Sequence, residues 1–224
     1  MKKDLLDKGA VLQRDKETYA IAPHLTAGLI TPEQLRTLAD VAEKYEVKAV
    51  KVTGAQRIAL VGIKEEEIDN AWKDLGMKPG AAVGLCVRSV KVCPGTTFCK
   101  KGLQDSVAIG SKLDGLYHGK NLPNKLKIGV SGCPQSCADN HIKDIGIYGM
   151  PKGWVVQIGG KGGLKPRLAD KIVMNVSEEK LFPLVEKIIQ IYSENATARE
   201  RLGDYIDRVG LEEVKKQIDI ESYL

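Results

Sequence analysis

Val92-Cys93-Pro94-Gly95-Thr96-Thr97-Phe98-Cys99 and Ser131-Gly132-Cys133-Pro134-Gln135-Ser136-Cys137 hold four of the chain's five cysteines in two spaced pairs. Five residues separate the first pair and three the second. Each pair follows a segment of strand character, Leu85 to Val92 before the first and Leu126 to Val130 before the second. A proline stands directly after the leading cysteine of each pair. Proline lacks an N–H and holds φ fixed, so each loop curls back and its two sulfurs can face one point. Four converging thiolates suit zinc or an iron–sulfur cluster, because soft sulfur ligands select those metals. Structural zinc more commonly has two to four residues between paired ligands, whereas the five-residue gap can wrap a cuboidal cluster. Inert core cysteines are the third reading. Cys86 stands apart on the first strand and reads as a small buried hydrophobe.

Upstream of the cysteines, residues 1–18 are polar and are predicted to be only partly ordered. Tyr19 to Ala22 reads as a short strand. Thr31-Pro32-Glu33-Gln34 is a helix start, with Thr31 able to cap, Pro32 suited to the first turn and Gln34 completing a capping box. Leu35, Leu38, Ala39, Ala42 and Tyr45 then follow helical spacing. Ala49 to Val52 and Arg57 to Val61 read as strands joined by a tight turn, and Glu65 to Leu75 as a second helix. Gly76, Pro79 and Gly80 mark a boundary. The expected fold is α+β: a ferredoxin-like half-domain over 10–78, then a mixed-sheet α/β domain over 79–224. In the latter, a helix from Gln104 to Leu116, strands at Ile145 to Tyr148 and Val155 to Ile158, and helices after Ser177 and Thr197 are predicted. The glycine run Gly159-Gly160-Lys161-Gly162-Gly163 lies between them.

Composition narrows the function classes. The chain has 224 residues, and 34 basic against 29 acidic side chains give a net charge of +5. That mild excess fits an ordinary surface and equally an enzyme of small anions. No long basic run occurs and none interleaves with aromatics, so nucleic-acid binding is not predicted. No apolar run approaches the ~20 residues that span a bilayer. The charged N-terminal stretch lacks the apolar segment of a secretory signal, which predicts the cytoplasm. Thiols stay reduced there, and spaced cysteine pairs then point to metal or catalysis.

Taken together, VCPGTTFC and SGCPQSC resemble the cluster-binding signature of the siroheme-dependent sulfite and nitrite reductases in spacing, order and separation. Val50 to Arg57 looks like that family's siroheme-contacting strand–turn–strand. Leu122 to Lys127 resembles the segment that supplies two anion-binding lysines. Gly159-Gly160 with Arg167 is similar to its glycine-rich loop, and Arg201 to Tyr205 to its C-terminal helix. The resemblance covers roughly residues 15–215. It implies a 4Fe-4S cluster on Cys93, Cys99, Cys133 and Cys137, with Cys137 also the proximal ligand of a siroheme iron.

The resemblance further implies siroheme contacts from Lys51, Thr53, Gln56, Arg57 and Arg167, with backbone amides of the glycine run as an anion nest. Arg88, Lys125 and Lys127 become the catalytic candidates that hold sulfite or nitrite and supply protons. The two lysines lie two apart on a strand and so share a face; a solvated strand face is the plainer reading of them. Ordinary hairpin chemistry is the plainer reading of Thr53 and Gln56. The family's nitrite-type members tend to carry Asn at the second lysine position, so sulfite is the expected anion. Two positions depart from the family: His24 is the only cation near the loop before Gly28, and Ala55 stands where many members have arginine. Larger members contain two copies of this unit, which suggests a homodimer. No flavin or nicotinamide motif occurs, so electrons are expected from an external donor such as a ferredoxin or a partner subunit. The rival readings are an iron–sulfur electron-transfer or sensor module without siroheme, and a zinc-stabilised binding protein.

Overall fold

The computed structural model describes residues 2–223. The chain divides into two compact units, the first ending at Gly84 and the second beginning at Leu85.

The first unit holds β1 (Ala10–Leu12), β2 (Thr18–Ile21), α1 (Pro32–Lys44), β3 (Ala49–Val52), β4 (Ile58–Lys64) and α2 (Ile68–Leu75). The strands form one antiparallel sheet in the order β1-β2-β4-β3. The capping box before α1 forms in both directions: Thr31 Oγ1 accepts from Gln34 N at 3.1 Å, and Gln34 Oε1 accepts from Thr31 N at 3.0 Å. Leu38, Val41 and Ala42 of α1 and Ile68, Ala71 and Leu75 of α2 then bury against Tyr19, Ile21, Leu60 and Ile63 of the sheet. The N-terminal segment is more ordered than its polarity suggests. Leu12 pairs with Tyr19 across β1 and β2, and Asp15 accepts the amides of Glu17 and Thr18 at 3.0 and 2.9 Å, which closes the turn between them. Local side-chain-to-backbone bonds of this kind escape a hydrophobic pattern.

The second unit holds β5 (Lys91–Val92), α3 (Gly95–Phe98), α4 (Ser106–Tyr117), β6 (Ile128–Ser131), β7 (Ile145–Met150), β8 (Gly153–Ile158), β9 (Asp170–Val176), α5 (Glu178–Asn195), α6 (Leu202–Val209) and α7 (Leu211–Ile218). Its sheet runs β5-β6-β7-β8-β9. The first three strands are parallel and the last two join antiparallel, so the sheet is mixed as expected. Asp105 caps α4 by accepting from Val107 N and Ala108 N at 3.1 and 3.0 Å, and Ser177 caps α5.

Three differences from the sequence expectation have local causes. The strand expected from Leu85 to Val92 shrinks to β5, because Cys86 and Val87 meet Asn121 and Leu126 only through single bridges. β9 escaped the pattern because its register against β8 shifts twice, which breaks the two-residue alternation. α7 follows α6 after Gly210 alone, at φ 97°, with no side-chain cap to announce it.

A two-loop cysteine site beside a cationic cluster

Adjacent parallel strands bring the two cysteine loops to the same end of the sheet. β5 pairs with β6 in the register Val92↔Val130, so Cys93 leaves one strand where Ser131 to Cys133 leaves its neighbour. The loops touch directly. Gly132 N donates to Cys93 Sγ at 3.1 Å, and Gly132 O accepts from Leu103 N and Gln104 N at 2.8 and 3.0 Å. Glycine is required at 132, since a Cβ there would lie 2.6 Å from Gly95 Cα and from Gln104 O. Ser106 Oγ lies 3.4 Å from Cys93 Sγ.

The Cys133–Cys137 loop is pinned from beneath by Asn140, which is fully buried. Its Nδ2 donates to Gly129 O at 2.7 Å and to Ile147 O at 2.5 Å, bridging β6 and β7. Its Oδ1 accepts from Ser131 Oγ at 2.5 Å and Ser136 Oγ at 3.0 Å. The loop needs that anchor: Ser136 and Asp139, on either side of Cys137, both sit at φ 57°, a region unfavourable to residues with a Cβ. Cys133 is buried, Cys93 and Cys99 are partly exposed, and Cys137 is exposed. All five cysteines are free thiols. Among the described residues, no three His, Cys, Asp or Glu side chains close on a single-ion site. The donor set fits a cluster: four thiols on two facing loops, one already receiving a backbone N–H as ligating sulfurs do.

Cations crowd the neighbouring surface. Leu126 is buried between Lys125 and Lys127, both of which face outward. Lys127 N donates to Asp144 Oδ2 at 2.8 Å. Partial burial lowers the Lys127 pKa below its ordinary 10.5, and the charges of Lys143, Arg201 and Lys125 add to the effect. Burial also lowers Lys143, against Asp139, whose Oδ2 lies 3.4 Å from its Nζ. The same Asp139 oxygen takes Lys91 at 2.7 Å. Arg88 is lowered by burial, with Arg201 a smaller contribution. Arg201 clamps the buried Asp144 with both nitrogens of its fork at 2.7–3.0 Å. Burial pushes the Asp144 carboxyl up, and Arg201 opposes that. Lys91, Lys127, Lys143 and Arg201 thus share the field of Asp139 and Asp144, with Lys125 next to Lys127 and Arg88 within reach of Arg201. Lys143 escaped the sequence reading, although it lies six residues past Cys137. Its aliphatic stem lies over Gly129, where a Cβ would come within 2.9 Å of Lys143 Cγ.

The remaining candidates fall elsewhere. In the first unit, Thr53, Gln56 and Arg57 line a cavity of 240 Å³ with Leu25, Gly28, Ile30, Val52 and Ile58. Thr53 N donates to Arg57 O at 2.8 Å and Thr53 Oγ1 accepts from Arg57 N at 3.2 Å, with Gln56 at φ 58° closing the turn. Arg57 is buried and donates to Gly80 O. Lys51 projects from the exposed strand β3 and does not line that cavity. In the second unit, Arg167 donates to Asp170 at 2.6 Å, to Asp207 at 2.9 Å and to the carbonyls of Gly159 and Leu168. Its neighbour Lys161 pairs with Asp204.

Such an architecture defines a cysteine-ligated cluster domain preceded by an α+β half-domain, and known proteins supply the rest. Residues 83–224 match the family described as "Nitrite and sulphite reductase 4Fe-4S domain", and residues 11–78 match "Nitrite/Sulfite reductase ferredoxin-like half domain". A relative named "Sulfite reductase, assimilatory-type" from Nitratidesulfovibrio vulgaris is 41% identical over 211 residues, covering 94% of this chain and 97% of that protein. A Bacillus subtilis "Nitrite reductase [NAD(P)H]" is 40% identical over 210 residues, but the chain spans only 26% of its length. The fold is shared with a solved dissimilatory sulfite reductase, at TM-score 0.82 over 90% of this chain and 69% of that one, with 14% identity. The chain belongs to the siroheme-dependent sulfite and nitrite reductase family. It is therefore an oxidoreductase with a 4Fe-4S cluster and siroheme, and the zinc-protein and sensor readings fall away. Among the described residues, no helix is long and apolar enough to cross a membrane.

Proposed function

We propose that this chain reduces sulfite to sulfide by six electrons, accepts nitrite as a second anion, and draws its electrons from an external donor. The observation that carries this is the placing of two facing cysteine loops beside a surface where cations outnumber carboxylates. When bound, the cluster and siroheme supply electrons and the iron that takes the anion. Cys93, Cys99, Cys133 and Cys137 would hold the cluster, and Cys137 would also serve the siroheme. In the first unit, Lys51, Thr53, Gln56 and Arg57 are the proposed contacts to siroheme carboxylates.

The chain's own groups handle charge and protons. Bisulfite takes up six electrons and six protons and leaves as hydrosulfide with three waters. Arg88 offers fixed donors to the anion, while Lys125 and Lys127 offer mobile ammonium protons. A lysine whose pKa is lowered releases its proton more readily near neutrality, which suits Lys127 to repeated donation. Arg167, whose fork is engaged by Asp170 and Asp207, enters this reading as the residue that fixes the glycine loop. Sulfite is preferred on two grounds: both anion positions are lysine, and the sulfite reductase relative matches across nearly its whole length. The cytoplasm is the proposed location. A homodimer is the proposed assembly, and a monomeric mass by sedimentation with full activity would remove it.

The deciding experiment is a visible spectrum with metal analysis of anaerobically purified protein, coupled to viologen-linked sulfite consumption. A Soret band with a long-wavelength siroheme band, iron and acid-labile sulfide are expected; zinc alone would overturn the reading. Cys137→Ser should lose sulfite reduction and shift the haem spectrum. An unchanged spectrum and rate would remove the bridging role.

A further inference from the structure

Lys91 and Asp139 flank the two cysteine loops at equal spacing: Lys91 stands two residues before Cys93, and Asp139 two residues after Cys137. Their side chains meet, with Lys91 Nζ 2.7 Å from Asp139 Oδ2. One ion pair therefore ties the start of the first loop to the end of the second. Cys93 N donates to Val130 O at 3.1 Å and so continues the ladder of β5, with Val92 buried between the two residues. Lys91 and Cys93 accordingly share a face of the sheet. A second ammonium reaches the same carboxylate oxygen, Lys143 Nζ at 3.4 Å. Among the described residues, neither lysine has another carboxylate within ion-pair distance. Asp144, the other carboxylate acting on Lys143, is clamped by Arg201. One carboxylate against two ammoniums leaves a positive charge over. The Lys91 and Lys143 side chains are only 20% and 12% exposed, so water dilutes that charge little. Asp139 needs one lysine to neutralise it. The second, held out of water, costs the fold and has no structural partner of its own.

We propose that Lys91, Asp139 and Lys143 are positioning residues for electron uptake, their surplus positive charge raising the reduction potential of the cluster held by the two loops. This rests on the cluster reading above. A thiolate-ligated cluster is anionic and gains a further negative charge when it takes an electron from the donor. Fixed positive charge beside it favours the reduced state by Coulomb attraction, and a low local dielectric strengthens the effect. Asp139 sets the size of the effect from the other side, because it cancels one of the two ammoniums. The two ends of the triad thus act on the potential with opposite sign. Potential, and not turnover, is the property to read, because Lys143 also acts on Lys127.

The test is potentiometry of the anaerobically purified full chain with its cofactors, the cluster followed by EPR and the haem by its visible spectrum. Lys143→Met keeps the stem that lies over Gly129 and removes the charge. It should disfavour reduction of the cluster about tenfold, a fall of about 59 mV for one electron. Lys91→Met should move the potential the same way. Asp139→Asn, with a side chain that tolerates the left-handed backbone at that position, should raise it by a similar amount. The double variant Asp139→Asn/Lys143→Met restores the wild-type net charge and should return the potential to its wild-type value. A triad that only ties the loops together would shift all the single variants in one direction and the double variant furthest. That pattern, or unchanged potentials with iron content intact, would overturn the proposal. Should Asp139→Asn lose its iron, the two lysine variants decide, and an unchanged potential in both would overturn it equally. Wild-type protein without iron and acid-labile sulfide would instead overturn the cluster reading, before any variant is compared.

Discussion

Two cation-rich places in the second unit look alike in sequence and differ in three dimensions. Around Arg167, Asp170 and Asp207 occupy the guanidinium fork, and Asp204 holds Lys161. Around Lys127, among the described residues, Lys91 and Lys143 share the single carboxylate of Asp139, and Asp144 is already clamped by Arg201. A cation with its own carboxylate holds structure together; a cation crowded by others carries uncompensated positive potential. Local charge balance, and not the presence of Arg or Lys, separates the two.

The sharpest way to break the contrast is Arg201→Ala. Asp144, 1% exposed in its side chain, would lose its guanidinium and stay buried beside a backbone amide. Leaving a buried charge unpaired costs about 3–5 kcal/mol, read as a fall in the urea midpoint. Asp144 would then turn toward Lys127, so the KM for sulfite should rise as well. Next comes Lys127→Met, which should lower kcat/KM for sulfite about a hundredfold while the cluster spectrum persists. An effect confined to stability would return Lys127 to a solvated strand face.

The same substitution makes a pH prediction. The Lys127 pKa is lowered on folding, so below that lowered value the charged lysine disfavours the fold. As pH rises between the lowered value and 10.5, the unfolded chain holds more protons and stability rises with pH. Lys127→Met should therefore be more stable than wild type at pH 7, with the gap closing as pH nears 10.5. Parallel denaturation curves at the two pH values read this directly. The smallest effect on catalysis is expected from Arg167→Ala. Loss of its hydrogen bonds should cost roughly 1–2 kcal/mol of stability and leave the KM for sulfite unchanged. A KM change equal to that of Lys127→Met would erase the distinction between the two clusters.

Much of the fold was readable in one dimension because it rests on local chemistry. The box at Thr31 and Gln34, the cap at Ser177 and the turn closed by Thr53 and Gln56 each depend on residues a few positions apart. β9 and the short β5 were not readable in this way, since register shifts and single bridges depend on strands distant in the chain. Asn140 gave no signal either. Nothing in Ala138-Asp139-Asn140-His141 says that one amide will be buried and bridge two strands, though a cysteine loop with left-handed residues on both sides needs such an anchor.

By itself, the sequence determined which atoms are available: four thiols in two proline-marked pairs, two lysines two apart, and strands leading into each loop. Motif spacing is a property of the chain, and it was enough to name the family that the comparisons bear out. Only the tertiary structure decided which cations are neutralised and which are not. Charge balance is set by neighbours that the fold gathers from positions as far apart as 88 and 201, and no local pattern encodes them. For that reason Lys143 joined the cationic cluster unannounced, and Arg167 turned out to be held by two aspartates.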